Sequence, residues 1–250
     1  MPRGMPPYSG HWALFLDIDG TLLDITGTPE GVAAGARRLE LLTRLREAVS
    51  GALALISGRP IASIDALFAP LRLPVAGQHG VERRDGAGRV HRAPVDASRL
   101  RCAAAPLREL AARHRGLVFE DKGCSVALHY RLAPRLRGAV FEAVQAVAGS
   151  LGTAFEAQQG KMVVELKPAG RDKGIAIEEF MREPPFAGRL PVFIGDDDSD
   201  ENGFRAVNRL GGHSVKVGEG ESCARWRLGD APAVRAWLRQ WLAGPLESRS

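Results

Sequence analysis

Three clusters of polar residues each follow a short apolar segment of the chain. They are Asp17-x-Asp19 after WALFL, Ser57-Gly58-Arg59 after ALALI, and Asp196-Asp197-x-x-Asp200 after PVFI. Short apolar runs without alternation indicate strands that are buried on both faces of a parallel sheet. Because ligands bind outside the carboxyl ends of such strands, the three clusters are expected to face one crevice.

The acidic residues of this crevice are candidate metal ligands. Carboxylates gathered in one place repel each other and stay ionised together only around a cation. Mg²⁺ binds to oxygen ligands, using one or two carboxylates together with water and phosphate. The candidate ligands of Mg²⁺ are Asp17, Asp19, Asp196, Asp197 and Asp200, and the sequence leaves open whether Asp197 or Asp200 lies closer to the ion.

The same crevice has groups suited to phosphoryl chemistry. Lys173 opens a predicted helix, and its ammonium, the Ser57 hydroxyl and backbone N–H groups would hold a phosphoryl group. Asp17, at the strand end, can attack phosphorus and form an aspartyl-phosphate. Asp19 lies two residues on, where it can protonate a leaving alkoxide and later deprotonate water. The predicted catalytic residues are therefore Asp17, Asp19, Ser57 and Lys173.

Two kinds of predicted element position these residues. Residues 33–49 have apolar side chains at helical spacing between the first two strands, which predicts a βαβ unit. Residues 75–92, with a glycine-containing loop at Asp85, predict a β-hairpin. Residues 98–167 instead follow the order α-β-β-α-β-β, with one predicted helix over 98–114, which is typical of a separate small α/β sandwich. We predict an α/β fold with a catalytic core of residues 1–97 and 168–250.

Composition excludes several functional classes. The 250 residues carry a net charge of +5, but the basic residues are scattered, so no nucleic-acid partner is expected. No apolar run approaches the length of a membrane span, and residues 1–12 resemble a frayed leader rather than a signal peptide. Three widely spaced cysteines favour a reducing, cytoplasmic location. No obligate protein partner is evident.

These motifs resemble those of the haloacid-dehalogenase-like (HAD) phosphatase superfamily. The matching residues are Asp17-Ile-Asp-Gly-Thr-Leu22, Ser57, Lys173 and Gly195-Asp-Asp-Asp-Ser-Asp200. The resemblance implies a Rossmann-like parallel-sheet core with an inserted cap domain, here residues 98–167. It also implies that Mg²⁺ is held by Asp17, the backbone carbonyl of Asp19, and Asp196.

Within that superfamily the chain is most similar to the trehalose-6-phosphate phosphatase family. The supporting strings begin at Ser57, Gly77, Glu120, Gly160, Asp172 and Gly195. The resemblance implies that a small sugar phosphate is the substrate and that cap residues bind the hydroxyls of its disaccharide. The implied substrate-binding residues are Gly58, Arg59, Gln78, His79, Glu120, Lys122, Arg131, Lys161 and Glu165.

Several alternatives stay open at this point. The enzyme could act on another sugar phosphate, such as a sucrose phosphate or a glycosyl-phosphoglycerate, or work as a phosphomutase that shields its intermediate from water. A sugar-phosphate-binding module without catalysis is a further alternative, although both Asp17 and Asp19 are present. Gln78 and His79 could pack in the hairpin instead of binding substrate, and Glu120 and Lys122 could be solvated turn residues.

Overall fold

The computed structural model describes residues 5–6, 8–24 and 35–244. The chain divides into two compact units, the first formed by residues 1–91 and 172–250 and the second by residues 92–171. Each unit has its own cluster of buried apolar side chains. The fold is therefore mixed α/β with an insertion between two segments of the first unit.

An eight-stranded sheet forms the centre of the first unit. Its strands are β1 (Trp12–Leu16), β2 (Leu53–Ile56), β3 (Val75–Gly77), β4 (Glu82–Arg84), β5 (Val90–Arg92), β10 (Leu190–Gly195), β11 (His213–Val217) and β12 (Trp226–Leu228). Their spatial order is β12-β11-β10-β1-β2-β3-β4-β5, and the six strands from β12 to β3 are parallel. The predicted α/β class with a parallel core is confirmed.

Five α-helices accompany this sheet in the described part of the first unit. They are α1 (Ala36–Ala48), α2 (Ile61–Leu67), α6 (Lys173–Phe180), α7 (Glu201–Arg209) and α8 (Ala231–Ala243). α1 contacts α8, and α6 contacts α7. Helix α8 begins where Asp230 accepts a hydrogen bond from the Ala233 N–H, which satisfies one of the free donors of its first turn. The predicted helix over residues 33–49 corresponds to α1, and residues 33–34 lie outside the described residues.

The second unit contains three helices and a four-stranded antiparallel sheet. The helices are α3 (Ala97–Ala103), α4 (Ala105–Arg113) and α5 (Arg137–Leu151). The strands are β6 (Val118–Asp121), β7 (Val126–His129), β8 (Phe155–Gly160) and β9 (Val163–Pro168), in the spatial order β6-β7-β9-β8. α5 packs against β8 and β9, so apolar side chains such as Val144 and Leu166 are buried.

Two expectations about local structure, and one about the boundaries of the second unit, differ from the structure. The single helix predicted over residues 98–114 is wrong, because the chain forms α3 and α4 with a break at Ala104, just before Pro106. Proline has no N–H to donate within a helix. The leader predicted over residues 1–12 is wrong at Trp12, which is buried in β1, and at Tyr8, which stacks on Trp241. Residues 1–4 and 7 of that segment lie outside the described residues.

The boundaries of the second unit, 92 and 171, differ from the predicted 98 and 167. At the start, Val95 packs against the apolar cluster of the second unit. At the end, the buried Lys167 ammonium donates a hydrogen bond to the Arg171 carbonyl. Residues 92–97 and 168–171 therefore belong to the second unit because of the residues that they contact. The sequence pattern that predicted the helices and strands of this unit does not extend into either segment.

Two further findings concern the sequence-based exclusions. Among the described residues, no helix is both long and apolar enough to cross a membrane. Cys102, Cys124 and Cys223 are free thiols. The cytoplasmic location stays a prediction.

Candidate active site

Asp17 occupies the first position after β1. β1 lies between β2 and β10, so both of its edges are hydrogen-bonded, and the Asp17 N–H donates to the Ile194 carbonyl of β10 at 3.0 Å. This hydrogen bond extends the sheet pairing to the backbone of Asp17, and the Asp17 side chain is buried. The turn that follows requires glycine, because Gly20 has φ +87° and a Cβ atom there would lie 2.1 Å from Asp196 Oδ2.

The loop after β10 supplies two more buried carboxylates. The Asp200 side chain is fully buried, and its Oδ2 accepts hydrogen bonds from the N–H groups of Asp196 and Asp197, each at 2.9 Å. These bonds close the loop on itself and hold its carboxylates in position. Single oxygens of Asp17, Asp196 and Asp200 all lie within 4.8 Å of one another.

Asp197 lies outside this carboxylate cluster. Its side chain caps the short 3₁₀ turn over Asp198–Asp200, accepting a hydrogen bond from the Asp198 N–H at 2.8 Å. Asp200 takes the place beside Asp17 and Asp196 instead. The sequence could not choose between Asp197 and Asp200, because the choice depends on how tightly the loop turns after β10.

Lys173 is the buried counter-ion of the cluster. It stands at the start of α6, where Asp172 accepts a hydrogen bond from the Ile175 N–H at 2.8 Å and so caps the helix. The Lys173 ammonium donates to Asp17 Oδ1 at 2.8 Å and to Asp200 Oδ1 at 2.6 Å. Burial alone would lower the pKa of Lys173, but the two carboxylates outweigh burial and raise it. Lys173 therefore stays charged.

The charges of the cluster do not balance without a further cation. Burial raises the pKa of Asp17 well above its usual range, and Asp200 and Asp196 add to the effect, while Lys173 opposes it. The Lys173 ammonium donates to two of three carboxylates whose oxygens are close enough to share one ion, and a second buried ammonium, that of Lys216, donates to the Asp196 backbone carbonyl. Two positive charges therefore face three carboxylates. All three are hard oxygen donors, the type that Mg²⁺ binds. The residues present therefore fit a hard divalent cation.

Ser57 and Arg59 follow β2, the neighbour of β1. The Ser57 N–H donates to the Ala76 carbonyl at 2.9 Å, and the Ser57 Oγ accepts a hydrogen bond from the Arg59 N–H at 3.1 Å. The Arg59 guanidinium reaches Asp19 with two hydrogen bonds, Nε to Oδ2 at 2.6 Å and Nη2 to Oδ1 at 2.7 Å. The structure thus brings Asp19 and Arg59 together in a bidentate pair, with both Asp19 oxygens engaged.

Gln78 and His79 form a buried turn behind this loop. Their φ angles are +47° and +55°, a left-handed conformation that non-glycine residues rarely adopt. The Gln78 N–H donates to the Arg59 carbonyl and the His79 N–H to the Ser57 carbonyl, each at 3.0 Å. At Gly58, an added Cβ would lie 2.7 Å from the His79 imidazole. The contacts of this turn support the Ser57–Gly58–Arg59 segment, and a turn with this strain is typical of functional sites.

The substrate-binding residues predicted in the second unit form two polar groups on its sheet. Lys122 donates to Glu165 Oε2 at 2.8 Å, and the Ser125 hydroxyl donates to Glu165 Oε1 at 2.6 Å. Glu120 lies 2.8 Å from His129 Nε2. Burial acts to raise the pKa of Glu120, but the His129 hydrogen bond and the Lys122 charge outweigh it and lower that pKa.

Arg131 and Lys161, the other two predicted substrate-binding residues of this unit, are joined by a backbone contact. The Arg131 guanidinium donates to the backbone carbonyl of Lys161 at 3.4 Å. Lys161 is exposed, and Arg131 is partly exposed. The contact holds the Arg131 side chain against the turn between β8 and β9.

Sequence reasoning missed several polar residues that complete these arrangements. Lys216 of β11 is buried, and its ammonium donates to the Asp196 backbone carbonyl at 2.6 Å. A signal existed, because the chain has only five lysines and Lys216 was one of the two, with Lys167, left without an assignment. Ser125 and His129 gave no such signal, since nothing in the sequence reveals the cross-strand register that pairs them with Glu165 and Glu120.

Comparison with known proteins identifies the relatives of this chain. Residues 15–230 match the family model described as trehalose-phosphatase. The chain is 46% identical over 233 residues to the trehalose-6-phosphate phosphatase of Escherichia coli strain K12, covering 93% of this chain and 87% of that protein.

Solved structures agree with this match. A structure described as a trehalose-6-phosphate phosphatase related protein aligns with a TM-score of 0.77 at 28% identity, covering 92% of this chain and 96% of the other. A phosphatase of the haloalkanoate (HAD) superfamily from Bacteroides thetaiotaomicron, 17% identical, shares the fold with a TM-score of 0.61, covering 96% and 97% of the two chains. The chain therefore belongs to the trehalose-phosphatase family of HAD-fold phosphoric monoester hydrolases.

Proposed function

We propose that this protein is a Mg²⁺-dependent phosphatase that hydrolyses trehalose 6-phosphate to trehalose and inorganic phosphate through an aspartyl-phosphate on Asp17. The observation that carries the proposal is the cluster of Asp17, Asp196 and Asp200 around the Lys173 ammonium. Family membership and the 46% identical phosphatase from E. coli support the choice of trehalose 6-phosphate.

Asp17 is the proposed nucleophile. Its Oδ1 accepts a hydrogen bond from Lys173, which restrains rotation of the carboxylate. An oxygen of Asp17 attacks the phosphorus while the bond from phosphorus to the sugar oxygen breaks. Asp17 and Asp196, with the carbonyl of Asp19, would hold Mg²⁺. When bound, the ion neutralises the carboxylates and phosphoryl oxygens, so that an anionic substrate can approach.

Asp19 is the proposed general acid and base. It gives a proton to the departing sugar oxygen, and it then takes a proton from the water that attacks the phosphorus of the aspartyl-phosphate. Both of its oxygens are engaged by Arg59. Release of Asp19 by Arg59 would let the carboxyl group turn toward the departing sugar oxygen. We propose that the guanidinium exchanges Asp19 for the substrate phosphoryl group, a ligand that matches the same planar fork.

The polar groups of the second unit are proposed to select the sugar. Lys122, Glu165 and Ser125 combine charged donors and acceptors in fixed positions, which suits the directional recognition of hydroxyl groups. We propose that Glu120, Arg131 and Lys161 contribute to the same recognition.

Phosphate release from a panel of phosphorylated sugars tests this proposal. With Mg²⁺, we expect kcat/KM for trehalose 6-phosphate to exceed that for glucose 6-phosphate by about 100-fold or more, because the monosaccharide leaves polar groups of the enzyme unpaired. Equal values for the two substrates, or a preference for sucrose 6-phosphate or glucosyl-phosphoglycerate, would contradict the substrate assignment while leaving the phosphatase chemistry intact.

A variant pair tests the role of the second unit. Glu165→Gln keeps the shape of the side chain but removes its charge, and we expect it to lower kcat/KM for trehalose 6-phosphate much more than for glucose 6-phosphate. Glu109→Gln, the same change at an exposed glutamate of α4, is the control and should leave both values unchanged. An equal loss on both substrates would argue against sugar selection by Glu165.

A further inference from the structure

A positively charged cavity lies in the first unit, formed by residues outside the candidate active site. A cavity of about 330 Å³ is lined by the start of α1 and one side of α8. Its lining residues are Gly35, Ala36, Arg37, Arg38, Arg235 and Arg239. Because four of these six residues are arginines from two different helices, the cavity has a strongly positive wall.

The charges around this cavity are unbalanced. Asp24 pairs with Arg38 at 3.3 Å and with Arg235 at 3.1 Å. In the part of the chain that the structure describes, neither Arg37 nor Arg239 has an ion-pair partner. Counted over the lining residues and their described ion-pair partner, four positive charges and one negative charge leave a net charge of +3. Guanidinium groups gathered in this way repel one another in the absence of a compensating anion.

Two of the arginines are held in place before any ligand binds. Arg235 donates to the Leu22 carbonyl at 3.0 Å, and its side chain is only 12% exposed. Arg38 is partly buried, and its Nη2 donates to Asp24 Oδ2 at 3.3 Å. Side chains that are already held in place reduce the entropy lost when a ligand is bound. Arg37 and Arg239 are exposed and complete the wall.

We propose that this cavity is a binding site for a ligand that carries a pyrophosphate group. Arginine pairs with phosphate oxygens through two parallel N–H bonds, which makes it the preferred residue for such groups. The net charge of +3 matches an anion with several negative charges better than a single chloride or carboxylate. The volume lies at the lower end of small-ligand sites and exceeds what one phosphate group needs. The source is either free pyrophosphate or a nucleoside diphosphate.

Calorimetric titration of metal-free protein in EDTA tests the site. Without Mg²⁺ the carboxylates of the candidate active site repel anions, so binding there is suppressed, and chelation of the metal contributes no heat. Pyrophosphate and ADP are titrated in separate experiments. Chloride at the same ionic strength is the control titrant for each. We expect one binding site on the wild type, and the comparison of the two ligands identifies which source the cavity prefers.

Matched variants locate the binding. Arg37→Gln/Arg239→Gln should weaken pyrophosphate binding by at least tenfold, since it removes two charge-assisted partners. Arg115→Gln/Arg135→Gln, the same charge change at exposed arginines of the second unit, should leave it unchanged. Ser57→Ala should also retain it, which separates this site from the proposed catalytic one. The proposal is overturned if the wild type binds neither ligand, or if Arg37→Gln/Arg239→Gln binds as tightly as the wild type.

Discussion

Removing the Lys173 ammonium should destabilise the protein most strongly when no metal is present. Lys173 is 3% exposed, and its two hydrogen bonds to Asp17 and Asp200 are 2.8 and 2.6 Å long. Lys173→Met keeps the length of the side chain but leaves buried carboxylates without their counter-ion. Breaking a buried ion pair on one side costs about 3–5 kcal/mol. For a chain of this length, that corresponds to a fall in Tm of roughly 6–20 °C.

Thermal unfolding of wild type and Lys173→Met, each in EDTA and in Mg²⁺, measures this effect. We expect Mg²⁺ to raise the Tm of the variant more than that of the wild type, because the ion compensates carboxylates that Lys173 no longer neutralises. Lys161→Met is the control, since Lys161 is exposed and its loss should change stability by less than about 0.5 kcal/mol. A Lys173→Met protein that matches the wild type in EDTA would refute the charge balance described for the cluster.

Three further predictions concern other contacts. Arg59→Lys cannot form the bidentate pair with Asp19, and we expect steady-state kinetics to show kcat/KM reduced about 10- to 100-fold. Lys216→Arg keeps the charge but changes the donor to the Asp196 carbonyl, so the Mg²⁺ concentration for half-maximal thermal stabilisation should rise about tenfold. An unchanged midpoint would contradict a positioning role for Lys216. Burial acts to raise the pKa of Asp85, but hydrogen bonds from His91 and Arg89 outweigh burial and lower that pKa. The stabilisation of the fold by the Asp85 carboxylate is therefore present above its unfolded-state pKa of about 4 and is lost as the pH falls below that value. Urea unfolding of Asp85→Asn should therefore show a loss of about 1–3 kcal/mol at pH 7 that shrinks as the pH falls below that value.

The parallel core could be predicted because its signals are local. Each of β1 and β10 is an uninterrupted apolar run that ends at a cluster of aspartates. One short stretch of sequence therefore indicates the strand, the point where it ends and the candidate catalytic residues. The convergence of Asp17 and Asp200 then follows from the geometry of parallel sheets. The break between α3 and α4 was harder to predict. The apolar pattern around Pro106 is compatible both with one kinked helix and with two separate helices.

Contacts between distant segments could not be predicted. The pairing of Arg59 with Asp19 depends on side-chain conformations across 40 residues of sequence, and the pattern of either motif contains no information about it. Likewise, Lys216 reaches the Asp196 carbonyl because β11 pairs with β10 in a register that places it beside Gly195. The four arginines around the cavity also come from both ends of the first unit, where separate stretches of sequence give no sign of a shared wall.

Chemical trapping of the intermediate tests the central claim most directly. Enzyme quenched during turnover of trehalose 6-phosphate with Mg²⁺ is treated with borohydride, which reduces an aspartyl-phosphate, and the modified residue is located by peptide mass spectrometry. The proposed mechanism predicts modification at Asp17 that requires both substrate and Mg²⁺ and is absent from Asp17→Asn. Modification at Asp19, or full turnover by Asp17→Asn, would contradict the mechanism.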